Sequence, residues 1–370
     1  MKIIIVHASA GSGHMKAAEA LHSYFIAAHP GIDVQLVDIL DKTNAPFKAA
    51  YSTGYNILVT CFPWLWSFFF CLTAAPGLRI IVRFLTFPLD FLNTFRFRHY
   101  LAGEKPDAVI STHFLSSRMV SFLKRRRRIA SSLVTVVTDF GVHPFWVQGH
   151  TDAYIAASEH TRDDLAAQGV KRSLIQIFGI PTAGKFTRTI DKKNAREKHG
   201  IPPAEFSVLL ITGSFGIGPL ERIAESLSPA VQVLVVCARN RRLYRRLISR
   251  GLPNVRVFGF VDFVEDLMAA ADLIITKPGG LTISETLSME LPPLFISAIY
   301  GQETENARFI AGERAGMVVP RISGIRDIVF DFKDHPEKLR GLKQNISRIR
   351  KPFASRDVCE YVLKLCSTRK

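Results

Sequence analysis

At 370 residues the chain is long enough for two domains of about 100–200 residues each, and 48% hydrophobic content supplies a core for both. Its formal net charge of +16, with +8 in each of residues 1–190 and 191–370, points to an anionic partner: a membrane surface, a nucleic acid or a phosphorylated substrate. Cys61, Cys71, Cys237, Cys359 and Cys366 form no C-x-x-C pair and no metal-ligand spacing, which argues against a disulfide scaffold or zinc module and suits a reducing cytosol.

The apolar run Met1-Lys2-Ile3-Ile4-Ile5-Val6 is too short for a signal peptide and reads as a first core strand. His7-Ala8-Ser9-Ala10-Gly11-Ser12-Gly13-His14 follows, then a helix carrying Ala17, Ala18, Leu21 and Phe25. The spacing is not G-x-G-x-x-G, so nicotinamide chemistry is not expected. His14 falls where the helix opens. There the dipole disfavours imidazolium, leaving a neutral ring able to take a proton; a plain capping histidine would occupy the same place.

Residues 49–78 hold no charge and no histidine, and include Trp64, Trp66 and Phe69. Thirty residues exceed the roughly 20 that span a bilayer. Pro63 and Pro76, with Gly54 and Gly77, divide the stretch, and Arg79, Arg83, Arg96 and Arg98 follow it. Monotopic attachment at the interface is therefore expected ahead of a core hairpin or a true span. Residues 106–113 read as a strand with a polar end, the kind that lines a cleft. Lys124-Arg125-Arg126-Arg127-Arg128 is a solvated face or a headgroup patch.

Residues 182–194, polar and without hydrophobic period, read as a linker between domains at 1–181 and 195–350, with a closing amphipathic helix over 351–370. The strand at 207–212 runs into Gly213-Ser214-Phe215-Gly216-Ile217-Gly218, a phosphate-type loop. The strand at 255–258 is followed by Gly259-Phe260-Val261. Leu273-Ile274-Ile275-Thr276 reads as a buried strand, broken by Lys277-Pro278-Gly279-Gly280, and a helix opens at Leu281-Thr282 and runs to about Glu290. Its exposed N–H groups and dipole suit an anion. Glu285, one turn in, has the reach to accept from two sugar hydroxyls. Gly301-Gln302-Glu303-Thr304-Glu305-Asn306 gathers further hydroxyl-binding groups at a helix start.

Taken together, Gly11-Ser12-Gly13-His14 with Ala17-Ala18, the segment Thr138-Asp139-Phe140-Gly141-Val142-His143-Pro144-Phe145-Trp146, and residues 273–306 resemble three separated motifs of one family. That family comprises the monogalactosyldiacylglycerol synthases and processive diacylglycerol glucosyltransferases, GT-B glycosyltransferases of family 28. The resemblance covers nearly the whole chain. It implies an α/β fold of two Rossmann-like domains facing a central cleft, with the final helix packing back on the first domain. It also implies inverting transfer of a hexose from a UDP-sugar to diacylglycerol at the cytosolic membrane face. By resemblance, Gly213, Ser214, Gly279, Gly280, Leu281 and Thr282 hold the diphosphate. Phe260 and Val261 flank the uracil, Glu285 holds the ribose, Gln302 and Glu303 bind the sugar, and Asn306 supports their loop. His14 is the expected base, with Asp139 as its orienter or its alternative. Gly13, His143 and Trp146 are placed near the acceptor, and Trp64, Trp66 and Phe69 at the membrane. No D-x-D occurs, so no metal or cofactor is expected, only the donor substrate. Rival readings are a polyprenyl or other amphiphilic acceptor, a UDP-sugar epimerase, and a nucleic-acid binder; the last lacks aromatics interleaved with its arginine clusters.

Overall fold

The computed structural model describes residues 1–75 and 77–368, without the side chains of Tyr55, Asn56, Thr60, Arg79, Ile80 and Arg83. Pro76, and the side chains of the arginines expected near headgroups at 79 and 83, thus fall outside what is described. The chain divides into two compact units: residues 1–184 with 299–305 and 353–370, and residues 185–298 with 306–352.

In the first unit, β1 (Lys2–His7), β2 (Asp33–Asp38), β3 (Ala108–Ser111), β4 (Ser132–Val136), β5 (Ala153–Ala156) and β6 (Ile175–Ile177) form one parallel sheet in the order β2-β1-β3-β4-β5-β6. Runs such as Ile3-Ile4-Ile5-Val6 and Leu133-Val134 are buried throughout, as a parallel sheet covered on both faces requires. Helix α1 (Ser12–Ala28) covers one face with Ala18, Leu21 and Phe25. The C-terminal helix Ala354–Ser367 packs beside it through Val358, Cys359, Val362 and Cys366. On the other face lie α6 (Phe95–Glu104) and α7 (Phe114–Arg125), reached through α2 (Ala45–Ala49), α3 (Tyr55–Cys61), α4 (Pro63–Ala74) and α5 (Arg79–Asn93).

The charge-free stretch therefore folds as short helices. Among the described residues no single helix is long and apolar enough to cross a membrane, and the pair 45–59 and 63–74 meets that test only together, across a 114° bend. Pro63 is the physical reason. It cannot continue α3, but as the first residue of α4 it costs nothing.

The second unit repeats the design with β7 (Ser207–Ile211), β8 (Gln232–Val236), β9 (Val255–Phe258), β10 (Leu273–Thr276), β11 (Pro293–Phe295) and β12 (Met317–Val318), parallel in the order β12-β11-β10-β7-β8-β9. The segment read as linker is ordered. Thr182 and Phe186 are buried, and Asp191 caps a helix over Lys192–Lys198 by accepting from the Asn194 amide at 2.9 Å.

Candidate active site

In each sheet the strand order reverses beside the first strand, at β1/β3 and at β7/β10. Loops leaving the carboxyl ends of two such strands diverge and open a crevice between them. In the first unit this brings the loop after β1 against Thr112-His113 after β3.

His14 sits in the first turn of α1, whose cap residue Gly11 takes φ 92°, a backbone region glycine enters freely. Its Nδ1 lies 2.8 Å from the Thr112 carbonyl and 2.8 Å from the Thr138 hydroxyl. A carbonyl oxygen only accepts, so Nδ1 carries the proton and donates to both. The lone pair is then on Nε2. Thr112 also donates from its hydroxyl to the His14 carbonyl at 2.9 Å, holding ring and backbone together. Burial lowers the His14 pKa to about 4, outweighing the bond to Thr112 that favours the charged form. The side chain is thus a neutral, oriented imidazole. Asp139, expected as orienter, directly follows Thr138, whereas the Nδ1 bonds come from Thr112 and Thr138.

His113, not singled out from the sequence, is an immediate neighbour. Its ring meets His14 edge-on at 4.7 Å, is 2% exposed, and has its pKa driven well down by burial. Its Nδ1 accepts the Leu115 amide at 3.2 Å, so Nε2 bears the hydrogen. The signal that could have found it was the polar end of β3; the missing information was that β3 lies next to β1.

His14 and His113 stand on the wall of a cavity of about 550 Å³, otherwise lined largely by apolar groups including Tyr51, Leu58, Phe69, Phe70 and Trp146. His143 is also there. Its Nδ1 accepts from the Phe145 amide at 3.3 Å, so Nε2 donates to the Thr73 hydroxyl at 3.1 Å and ties α4 to the loop after β4. Gly13 lies in the first turn of α1 beside His14.

The expected aromatics are placed unequally. Trp146 is 1% exposed, packs with Val137, Tyr154 and Leu165, and lines the cavity that bears His14. Trp64 and Trp66 do not act as a pair: Trp64 is 69% exposed, whereas Trp66 faces the cavity and donates from Nε1 to the Tyr300 carbonyl at 3.1 Å. Phe69 lines the cavity while remaining partly exposed. Glu303 accepts from the Ile299 amide at 2.7 Å, so one of its oxygens closes its own loop. Gln302 lines the cavity of the first unit.

In the second unit the β7/β10 reversal brings Gly213 and Ser214 beside Gly279, Gly280, Leu281 and Thr282 at the carboxyl ends of adjacent strands. The helix Gly280–Ser288 has no side-chain cap, so its leading N–H groups keep their capacity to bind an anion. Asn306 is fully buried and donates to the Pro278 carbonyl at 3.1 Å, so it braces the Lys277–Gly280 turn as well as standing beside Gln302 and Glu303 in sequence. Glu285 is half-buried one turn into the helix. Gly216 takes φ 57°, and a Cβ there would fall 2.2 Å from the Cys237 carbonyl, so this glycine is required by packing of the loop on the end of β8. Phe260 follows β9, exposed, with the Arg239 guanidinium 5.9 Å from its ring centroid, and Val261 is next to it.

Comparison with known proteins bears on this arrangement. Residues 14–182 match the model of monogalactosyldiacylglycerol (MGDG) synthase, and residues 217–329 match the glycosyltransferase family 28 C-terminal domain. A processive diacylglycerol β-glucosyltransferase of Staphylococcus epidermidis is 27% identical over 98% of this chain and 93% of its own length. One from Bacillus licheniformis is 29% identical over 94% and 90%. The crystal structure of Acinetobacter baumannii MurG superposes with a TM-score of 0.61 at 14% identity, covering 98% of this chain and 99% of that one, which makes the fold GT-B. The chain is an enzyme that resembles, in both of its halves, the monogalactosyldiacylglycerol synthases and processive diacylglycerol β-glucosyltransferases.

Proposed function

We propose that the enzyme transfers a hexose from a UDP-sugar to the free hydroxyl of diacylglycerol, with inversion, while attached monotopically to the cytosolic face of a membrane. The observation that carries this is a neutral histidine, its Nε2 lone pair unprotonated, on the wall of a mainly apolar cavity of about 550 Å³. A diglyceride needs such a pair: apolar walls for its chains and a base for its single hydroxyl. The names of the relatives point the same way.

In the proposed step the acceptor oxygen attacks the anomeric carbon from the face opposite the diphosphate. The new C–O bond forms as the bond to UDP breaks, and the hydroxyl proton passes to Nε2 of His14. Negative charge develops on the departing diphosphate. Gly213, Ser214 and the N–H groups of Gly279, Gly280, Leu281 and Thr282 are assigned to receive it, with Lys277 adjacent. Glu285 is assigned to the ribose, Phe260 and Val261 to the base, and Gln302 and Glu303 to the sugar. So written, the step runs without a divalent ion, and activity should survive EDTA.

The test is a radiolabelled-donor assay with diacylglycerol-containing vesicles, run separately with UDP-glucose and UDP-galactose. A chloroform-soluble product identifies reaction class and donor together. No lipid product with either sugar overturns the diacylglycerol reading in favour of UDP-GlcNAc or a polyprenyl acceptor. UDP-sugar interconversion without lipid would mark an epimerase.

A further inference from the structure

The cavity that bears His14 is walled mainly by aromatic rings and hydrocarbon, so each polar atom that reaches it matters. Most of them are committed. The Thr73 hydroxyl donates to the Phe69 carbonyl at 2.8 Å and accepts from Nε2 of His143, whose Nδ1 takes the Phe145 amide. Nδ1 of His14 donates to Thr112 and Thr138, which leaves its Nε2 as the base.

His113 differs. Its side chain caps α7, with Nδ1 accepting from the Leu115 amide, so the hydrogen sits on Nε2. Among the described residues no acceptor meets that Nε2–H, and the atom is not sealed in protein but reaches the cavity. Nor is the ring free to turn away. The His113 carbonyl accepts from the Ser111 hydroxyl at 2.9 Å and the Ser116 hydroxyl at 2.8 Å. Phe114 packs against the ring with centroids 4.2 Å apart, and His14 stands 4.7 Å away. The residue is 2% exposed, and burial keeps the imidazole neutral. A buried donor held in place without an acceptor is unfavourable until a bound molecule satisfies it.

The surroundings restrict what that molecule can offer. No lysine or arginine stands among the described residues lining the cavity, so a carboxylate or phosphate would lose its hydration there without a cation in return. A neutral carbonyl oxygen fits a neutral N–H. In a diglyceride the free hydroxyl and an ester sit on adjacent glycerol carbons, close enough for two neighbouring rings to hold both. We propose that Nε2–H of His113 donates to this ester carbonyl while the hydroxyl faces Nε2 of His14, and that His113 thereby selects ester-linked over ether-linked glycerides. The assignment rests on the transfer proposed above and adds to it the group that discriminates between acceptors.

The test compares dioleoylglycerol with dioleylglycerol, the same chains in ester and in ether linkage, both detergent-dispersed, with radiolabelled UDP-glucose and UDP-galactose. Wild type should favour the ester by about tenfold or more in kcat/KM, because the ether leaves the donor unmet. His113→Asn and His113→Ser each keep a capping oxygen for the Leu115 amide and withdraw the Nε2–H. Both should lower kcat/KM for the ester about tenfold and bring the ester-to-ether ratio to about one. Circular dichroism, thermal melting and UDP affinity confirm that each variant folds. Equal use of the two acceptors by wild type overturns the proposal without any variant, and it leaves the transferase reading standing. An equal loss on both acceptors in the variants also overturns it, since that is the result of a residue that only caps α7 or supports His14. Product with neither acceptor fails the transferase reading itself, and the assignment of His113 falls with it.

Discussion

Two apolar stretches follow one another in the first unit, and they divide their faces differently. Residues 49–74 have no charged side chain, yet α4 turns Trp66, Phe70 and Thr73 inward onto the cavity wall that also bears His14. Helix α5 contains Asp90 and ion-pairs with Arg118, yet it offers an outward apolar row of Ile81, Phe84, Leu85, Leu89 and Leu92. Lack of charge therefore does not identify the surface that meets lipid. What decides is where the charges that exist are satisfied: the Asp90–Arg118 pair is satisfied inside, so the outside of α5 is left to its leucines and phenylalanines. The inner wall holds the acceptor's chemistry and the outer ridge holds the bilayer, on the reading proposed here.

That division is broken most directly by two substitutions with opposite expected readouts. His14→Ala on the inner wall should lower kcat by about 10²–10⁴-fold. UDP affinity and vesicle partitioning should stay as in wild type; full activity would return the role of base to Asp139. Leu85→Ser with Leu89→Ser on the ridge should lower vesicle partitioning by about tenfold or more, since each leucine contributes up to about 1.5–3 kcal/mol when fully buried. Its turnover on detergent-dispersed diacylglycerol should not change. If the ridge variant loses turnover in detergent, inner wall and outer ridge are not separate.

The two tryptophans of α4 sharpen the comparison within a single helix. Trp64→Ser should lower membrane partitioning with little effect on thermal stability, because its ring is exposed. Trp66→Phe removes the donor to the Tyr300 carbonyl and should cost about 1 kcal/mol in chemical denaturation while leaving partitioning alone. Equal effects of both substitutions on partitioning would return them to a common role at the interface.

Much of the framework was legible because buried parallel strands are unbroken apolar runs: β9 and β10 have the limits their sequences indicate, and His14 falls at the start of its helix. The glycine-rich turns at 213–218 and 279–280 were legible in the same way, as breaks between a strand end and a helix start. What could not be read depends on pairings far apart in sequence. His113 joins His14 only because β3 lies beside β1, and Arg118 reaches Asp90 across 28 residues. Without that pair, residues 79–92 look like a failed membrane span instead of a helix with a satisfied polar side. Trp66 and Trp64 are two residues apart and chemically identical, and only the placement of Tyr300 separates them.

The smallest expected effect, and the most specific to the inner wall, is in the pH profile. An ordinary histidine base would be half protonated near pH 6.5, and kcat/KM would have fallen twofold there. Burial holds the His14 pKa down to about 4, because the charged imidazolium is the form that burial penalises. The neutral ring therefore persists as pH falls, and kcat/KM on detergent-dispersed acceptor should stay level from pH 8 to about 5 and decline only below that. The sign for stability is the same: the folded protein prefers the neutral ring, so its contribution is complete above pH 6.5 and is lost as pH falls from there towards 4. A kinetic limb near 6.5 would mean that His14 is solvated in the working enzyme, or that another group takes the proton. Thr138→Val tests how the ring is oriented. It removes one of the two acceptors on Nδ1 and should lower kcat about fivefold at every pH without moving the limb, with Thr138→Ser restoring it. A uniform drop assigns Thr138 to orienting the base; no drop leaves the Thr112 carbonyl as its sufficient anchor.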